Sequence, residues 1–423
     1  MNRLDELKES IKVSTYQESW IVSSDLSDRS FEYSNIDFKS ALNYKLYSFL
    51  REMQSLEWKS FCFGKQRVYN SVLAAKEQLT EISINGYYLE TLQPLKELSD
   101  IKTLSFSNNH LLALGDLALF PKLKTAELSS NKLDSINLMP KMDGLESLVI
   151  SYNDLKKVYG LKNVSNLLFL NISNNQQLDF NSIPRLEKLS TLVADNINIS
   201  DFKSLKRLPS LIDLSISNSI SVNKNLLPSL PNLQRLNMSD NLITYKDTGL
   251  FEQLANYKNL AYLNLSDNHL ENVYPLTFYA ERSKSNVVVN RFEPKIPALK
   301  SLNLSRNLLH SIDGLFQYKE LEELYLTGNT ITFGTSLENF KNLKVLYIEN
   351  CGLKDIAFLK NETQLEVLAI EMNNIVDYSP LYSLKSLKTL YVGAVSQVEL
   401  NKLTKALPTT KIFSSIINAN DNR

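Results

Sequence analysis

An eleven-residue phrase, L-x-x-L-x-L-x-x-N-x-L, recurs through most of this 423-residue chain and restricts its fold more tightly than any other feature. The copy Leu299-Lys300-Ser301-Leu302-Asn303-Leu304-Ser305-Arg306-Asn307-Leu308-Leu309 shows it in full. With the leading apolar residue as position 1, copies begin at Leu79, Ile101, Leu123, Leu145, Leu167, Leu189, Leu211, Leu233, Leu260, Leu299, Leu321, Leu343, Leu365 and Leu387. Successive starts lie 22 residues apart, except for steps of 27 (Leu233 to Leu260) and 39 (Leu260 to Leu299). Self-similarity at a fixed period of this size means one unit stacked on copies of itself.

Within a copy, positions 4 and 6 are apolar and flanked by small polar residues, a period of two that predicts a short strand with one buried face. Position 9 is Asn at Asn109, Asn131, Asn153, Asn175, Asn241, Asn268, Asn307, Asn329 and Asn373. A buried Asn at a turn can bond the backbone of its own coil and of the next, satisfying groups that would otherwise be orphaned. Further apolar residues follow at three-residue spacing, as in Leu155, Val158, Leu161 and Val164, which suits a 3₁₀ or irregular return. One coil cannot enclose a core, so stability must come from stacking, and truncating a buried Leu to Ala should cost about 2–5 kcal/mol.

The phrase resembles the leucine-rich repeat family over roughly residues 79–400. The resemblance implies an α/β repeat solenoid: a right-handed horseshoe with a parallel concave sheet of about 14 strands and a helical N-terminal cap. Residues 1–78 form the expected cap, residues 79–397 the solenoid with an insertion at 274–298, and residues 398–423 a C-terminal cap. In the N-terminal segment Phe38, Leu42, Leu46, Phe49, Leu50, Met53 and Leu56 recur at helical spacing, after a polar stretch from Ser14 to Ser34 with little periodicity. The 27-residue step, with Phe251, Leu254, Ala255 and Tyr257, predicts a helix. The insertion predicts an ordered protrusion in which Val287-Val288-Val289 makes a hairpin strand. Leu400, Leu403 and Leu407 predict a closing helix before a last strand at Lys411-Ile412-Phe413. At Ile197 and Ser219 the asparagine row breaks, so Asn196 or Asn218 is expected to slip into the role, and residues 190–222 to pack more loosely.

Net charge is zero, with 46 basic and 46 acidic residues, so no overall field favours nucleic acid or an anionic membrane. No apolar run approaches the roughly 18 residues of a membrane span. The start, Met1-Asn2-Arg3-Leu4-Asp5-Glu6, shows no signal peptide, and two cysteines, Cys62 and Cys351, suit a reducing compartment, so the expected location is cytoplasmic. Cys351 stands at position 9 and reads as a buried structural thiol. The N-x-S sequons at Asn171, Asn237, Asn264 and Asn303 fall on position 5 and read as by-products of the repeat. None of the three histidines has metal-ligand spacing, and there is no phosphate loop, dinucleotide fingerprint or nucleophile elbow. The expectation is therefore a non-enzymatic chain with no cofactor, no metal and no small-molecule substrate.

Positions 3, 5 and 7 should point onto the concave sheet, whose strands lie ~4.8 Å apart and would span about 60 Å. Ser, Thr and Asn dominate its N-terminal half. The C-terminal coils place Tyr325, Tyr347 and Tyr391 beside Glu323, Glu349 and Glu371, with Tyr262, Asn264 and Val345 adjacent. Tyrosines on a rigid sheet are typical protein-interface anchors, and carboxylates around them favour a basic partner. Arg282, Lys284 and Arg291 in the insertion offer a further contact. At position 2 the signs of Lys300, Glu322, Lys344, Glu366 and Lys388 alternate, which reads as stacking registry. The favoured function is an intracellular protein-binding scaffold, and within it an inhibitor or immunity protein occluding a basic target. Two alternatives follow from the resemblance: a regulatory subunit, since 22-residue repeats are similar to the type-1 phosphatase regulator, and a secreted internalin-like adhesin or effector.

Overall fold

The computed structural model describes residues 19–22, 80–86, 89–96, 98–219, 227–282, 288–292, 294–332, 337 and 340–416. The chain divides into two compact units, Met1–Asn198 with Lys203–Leu211 and Ile199–Phe202 with Ile212–Arg423. The helical stripe from Phe38 to Leu56, Cys62 and Lys284 lie outside the described residues.

In the first unit seven short strands pair in parallel and in chain order: β1 (Ser19–Val22), β2 (Glu81–Ile84), β3 (Thr103–Ser105), β4 (Thr125–Glu127), β5 (Ser147–Val149), β6 (Phe169–Asn171) and β7 (Thr191–Val193). Equivalent repeat positions face each other without slippage, as in Leu104↔Ala126 and Leu148↔Leu170. β1 lies within the stretch of little periodicity from Ser14 to Ser34. It pairs Ser19–Val22 with Glu81–Ile84, and its Trp-Ile-Val run has high strand propensity in too short a window for periodicity to register.

The second unit holds β8 (Asp213–Ser215), β9 (Arg235–Asn237), β10 (Tyr262–Asn264), then β13 (Ser301–Asn303), β14 (Glu323–Tyr325), β15 (Val345–Tyr347), β16 (Val367–Ala369), β17 (Thr389–Val395) and β18 (Lys411–Ile416), all parallel. Between β10 and β13 the insertion forms a separate antiparallel pair, β11 (Phe278–Arg282) with β12 (Val288–Phe292), so the expected hairpin is present. The 27-residue step contains α1 (Thr248–Leu254), which buries Leu250, Phe251 and Leu254. The turn α2 (Tyr274–Thr277) leads into β11. At the C-terminal end α3 (Gln397–Ala406) is N-capped by Ser396, whose hydroxyl accepts from the Glu399 N–H at 3.2 Å. Leu403 and Leu407 are buried, while Leu400 stays partly exposed.

Each coil closes in the same way. Positions 1, 4 and 6 are fully enclosed, for example Leu123, Ala126 and Leu128, or Leu321, Leu324 and Leu326. The backbone then turns through a left-handed residue at position 8: Gly86, Asn108, Ser130, Tyr152, Asn174, Asn196, Asn218, Asp240, Asp267, Arg306, Gly328, Asn350 and Met372 all have positive φ. That turn swings position 9 inward. Asn131 donates from Nδ2 to the carbonyls of Phe106 at 2.8 Å and Leu128 at 3.0 Å, while its Oδ1 accepts from the Leu111 N–H at 2.9 Å. Asn307 and Asn329 repeat the pattern. Wherever position 9 is Asn, the ladder therefore ties that coil to the one before it, not to the one after. The expectation that Asn196 or Asn218 substitutes at the breaks is also corrected. Both occupy the left-handed position, and Ile197 and Ser219 remain buried at position 9, the Ser219 hydroxyl donating to the Ser217 carbonyl at 2.7 Å.

On the return side, 3₁₀ turns such as Tyr159–Asn163 and Lys203–Arg207 carry the three-residue spacing, and Leu155, Val158, Leu161 and Val164 are all enclosed. Position 2 forms the anticipated charge ladder: Glu322 accepts from Lys300 at 3.1 Å and Lys344 at 2.9 Å, and Glu366 from Lys388 at 2.6 Å. Glu322 is held below the usual carboxylate range by the hydrogen bonds of Lys344 and Lys300.

Two substitutions test this architecture. A Cβ on Gly160 would lie 1.8 Å from the Ile136 carbonyl oxygen, so Gly160→Ala should destabilise the fold by about 1–3 kcal/mol in chemical denaturation, since backbone must move to admit it. Cys351 takes the ladder position with a thiol 3.3 Å from the Leu326 carbonyl, and it has no oxygen to accept from the coil before. Cys351→Asn should therefore stabilise by about 1 kcal/mol, the net worth of the bond it adds.

Candidate protein-docking face

The outward row at position 5 changes character along the second unit. From β8 to β13 it is Ser215, Asn237, Asn264 and Asn303. These asparagines fold back on their own strands: Asn237, Asn264 and Asn303 accept from the Ser239, Ser266 and Ser305 N–H groups at 3.2, 2.9 and 2.9 Å. Asn171 does the same with Ser173 at 3.0 Å. The Asn of each of these N-x-S sequons thus has a structural role, and Asn264 serves its own turn rather than standing free.

From β14 onward the row becomes aromatic. Tyr325 and Tyr347 have ring centroids 5.1 Å apart, Tyr347 and Tyr391 6.3 Å, and Tyr391 and Phe413 4.8 Å with planes only 11° apart. The middle pair meets across the intervening strand, where position 5 is Ala369, itself fully buried. The strand register aligns these rings, and each ring remains partly exposed. Phe413, which closes the row, was not singled out from sequence. It lies 22 residues after Tyr391, so one further step of the repeat would have found it.

Val345 and Val367 flank this row on the position-3 side, and Glu349 and Glu371 on the position-7 side, all half-buried. Glu323 accepts from Ser301 at 2.8 Å and from the Tyr325 hydroxyl at 3.3 Å, and Glu349 accepts from the Thr327 hydroxyl at 2.9 Å. Among the described residues no Lys or Arg pairs with Glu323, Glu349 or Glu371. Burial, with the neighbouring Glu323 carboxylate, pushes the Tyr325 hydroxyl up to about 12. Burial, then a hydrogen bond and like-charge repulsion from Glu349, raises the Glu371 carboxyl.

Tyr262 stands apart from the ring row. Arg235 lies over its ring at 5.0 Å and pairs with Asp213 at 3.5 Å, so this tyrosine already has an internal cation. Arg282 and Arg291 lie on β11 and β12, opposite Val288 and Tyr279 respectively. Lys295, also in the insertion, is buried and donates to Glu252 on α1 at 2.6 Å, so it anchors the hairpin base.

A family model described as leucine-rich repeats (two copies) matches residues 319–361, which include β14 and β15. A leucine-rich repeat protein of Leptospira interrogans is similar over 81% of this chain and 85% of its own, at 20% identity and a TM-score of 0.53. The chain carries the leucine-rich repeat fold. Its solenoid is also similar to TLR13 in a TLR13–ssRNA13 complex, over 77% of this chain and 55% of that one, at 20% identity and a TM-score of 0.52. An internalin, InlF of Listeria monocytogenes, aligns over 82% of this chain and 94% of its own, at 18% identity and a TM-score of 0.48. No curated protein matches the sequence. Among the described residues of this leucine-rich repeat chain no cluster of His, Cys, Asp and Glu could hold a metal, and no helix is long and apolar enough to cross a membrane.

The raised Glu371 carboxyl gives a test of the acidic pair. The folded chain holds this proton more tightly than the unfolded chain, so Glu371 disfavours folding once pH exceeds its raised pKa, and that cost persists at neutral pH. Glu371→Gln should melt at a higher temperature than the unsubstituted chain at about pH 7. The difference should close as pH falls below the ordinary carboxylate range, at about pH 3, where Glu371 is protonated in both states.

Proposed function

We propose that this chain is a non-enzymatic scaffold that docks a basic partner protein on the strand face of its second unit. Leucine-rich repeat scaffolds typically serve protein–protein interaction, and the single observation carrying the finer reading is the ring row from Tyr325 to Phe413. Aromatic side chains on a sheet lose little entropy on binding and supply both apolar area and hydroxyls. The carboxylates beside them have no cation among the described residues, whereas the position-2 carboxylates are neutralised within the solenoid. This contrast favours a basic surface over an acidic one, and over a phosphate backbone. A solved relative of the fold is recorded with single-stranded RNA, so nucleic acid is the natural competitor reading. The three carboxylates speak against it here.

Inhibition by occlusion, as an immunity protein would act on its target, is the mode we favour, because a broad rigid face covers rather than remodels what it binds. Action inside the cell belongs to the same proposal. It is supported by the sparse cysteines and by Cys351, a free thiol whose pKa burial raises.

The test uses a photo-crosslinker at Tyr347, with Val376 away from this face as the control site. Once the captured partner is purified, Tyr325→Ala with Tyr347→Ala should weaken its affinity by at least ~2 kcal/mol, about thirtyfold, with the fold retained. Val376→Ala should leave it unchanged. An unaltered affinity for the double tyrosine variant would remove the docking face.

A further inference from the structure

Across β15, β16 and β17 the face is graded. Val345 and Val367 lie on one side, Tyr347 and Tyr391 in the middle, and Glu349 and Glu371 on the other. One side chain presents the same sequence of chemistry along its own length. Arginine has an apolar stem, then a flat delocalised cation that stacks on rings, and its edge is a fork of donors matched to carboxylates. Two cations of the second unit already lie over rings of this face. Arg235 lies over Tyr262 at 5.0 Å, and Lys411 over Phe413 at 4.6 Å. Between them, among the described residues, no cation covers Tyr325, Tyr347 or Tyr391.

We propose that the partner is anchored by an arginine laid across β15–β17, its stem on Val345 and Val367, its guanidinium over Tyr347 and Tyr391, and its donors on Glu349 and Glu371. The inference rests on the docking face argued above and names the group that occupies it. Three features select this occupant. Ala369 is the small residue that lets the two tyrosines approach to 6.3 Å over β16, which makes a double-ring platform wider than one ring offers. The carboxylates stand at the same strand ends, so a planar fork reaches both, whereas an ammonium satisfies them only as a point charge. The pair is also internally repulsive, and a guanidinium would relieve that repulsion on arrival.

The experiment titrates the full chain with a Gly/Ser peptide of about nine residues bearing one central arginine, following isotope-labelled tyrosine ring and valine methyl signals by NMR. Matching peptides carry lysine or citrulline at the centre, and an oligouridylate serves as the nucleic-acid probe. The expected result is that the arginine peptide shifts the Tyr347, Tyr391, Val345 and Val367 signals. Glu349→Gln with Glu371→Gln should weaken it at least about tenfold, lysine should bind at least about threefold more weakly, and citrulline should not bind. Equal binding of citrulline, an unaltered affinity in the Gln variant, or the same shifts produced by oligouridylate would each overturn the proposal. If the crosslinked partner still loses affinity in the double tyrosine variant but keeps it in the Gln variant, the arginine anchor falls while the docking face stands.

Discussion

The position-9 amide is the interaction on which every other feature of this chain depends. A coil of 22 residues leaves carbonyls and an N–H pointing into a space that water cannot enter, and each such group costs a kcal/mol or more if left unmet. One Asn meets them together: Asn153 donates to Leu128, Ile150 and Ser151 and accepts from Leu133. Because half of those bonds reach the preceding coil, the same side chain that closes its own turn also fixes its register on the coil before. The left-handed residue before it makes this possible, since a right-handed backbone there would carry the amide away from the core.

Fixed register turns sequence columns into physical rows, and the rows differ in what they can satisfy internally. At position 2 opposite charges alternate, so the ladder neutralises itself on the surface. At position 5 the asparagines are occupied by their own strand ends. From β14 on, neither solution applies. Tyrosines replace the asparagines, and the glutamates at positions 3 and 7 meet hydroxyls or one another rather than cations. The ring spacings are set by strand separation and not by loop conformation, which makes the row rigid before any partner arrives.

Most of this was legible in the repeat itself. The strands of the repeat, the charge ladder, the helix at Thr248–Leu254 and the hairpin follow from period and composition, whereas β1 lies outside the repeat and carries no such offset. The readings that needed correction depend on backbone geometry instead. Asn196 and Asn218 look like displaced ladder residues in sequence, yet their column is rich in Asn, Asp and Gly throughout, the mark of a left-handed turn. The direction of the Asn bonds, to the preceding coil, follows from how the turn aims the side chain and leaves no trace in composition. Tyr262 stands at position 3, one strand from Arg235 in register, and the stacking of that cation on its ring follows from strand pairing rather than from either residue's type.

The placement of repulsion completes the argument. A solenoid that neutralises its charges elsewhere has the means to do so at positions 3 and 7, since a Lys at either position of a neighbouring coil would suffice. Glu349 and Glu371 instead stand side by side, half-buried, with one carboxyl held up by burial and by the other. Such an arrangement disfavours the free fold and favours any bound state that brings positive charge, which is the balance expected of a binding site rather than of a packing contact. The rings beside the pair strengthen the case. Aromatic surface held in line next to unneutralised carboxylates gains little from water, and both become satisfied by the same kind of visitor.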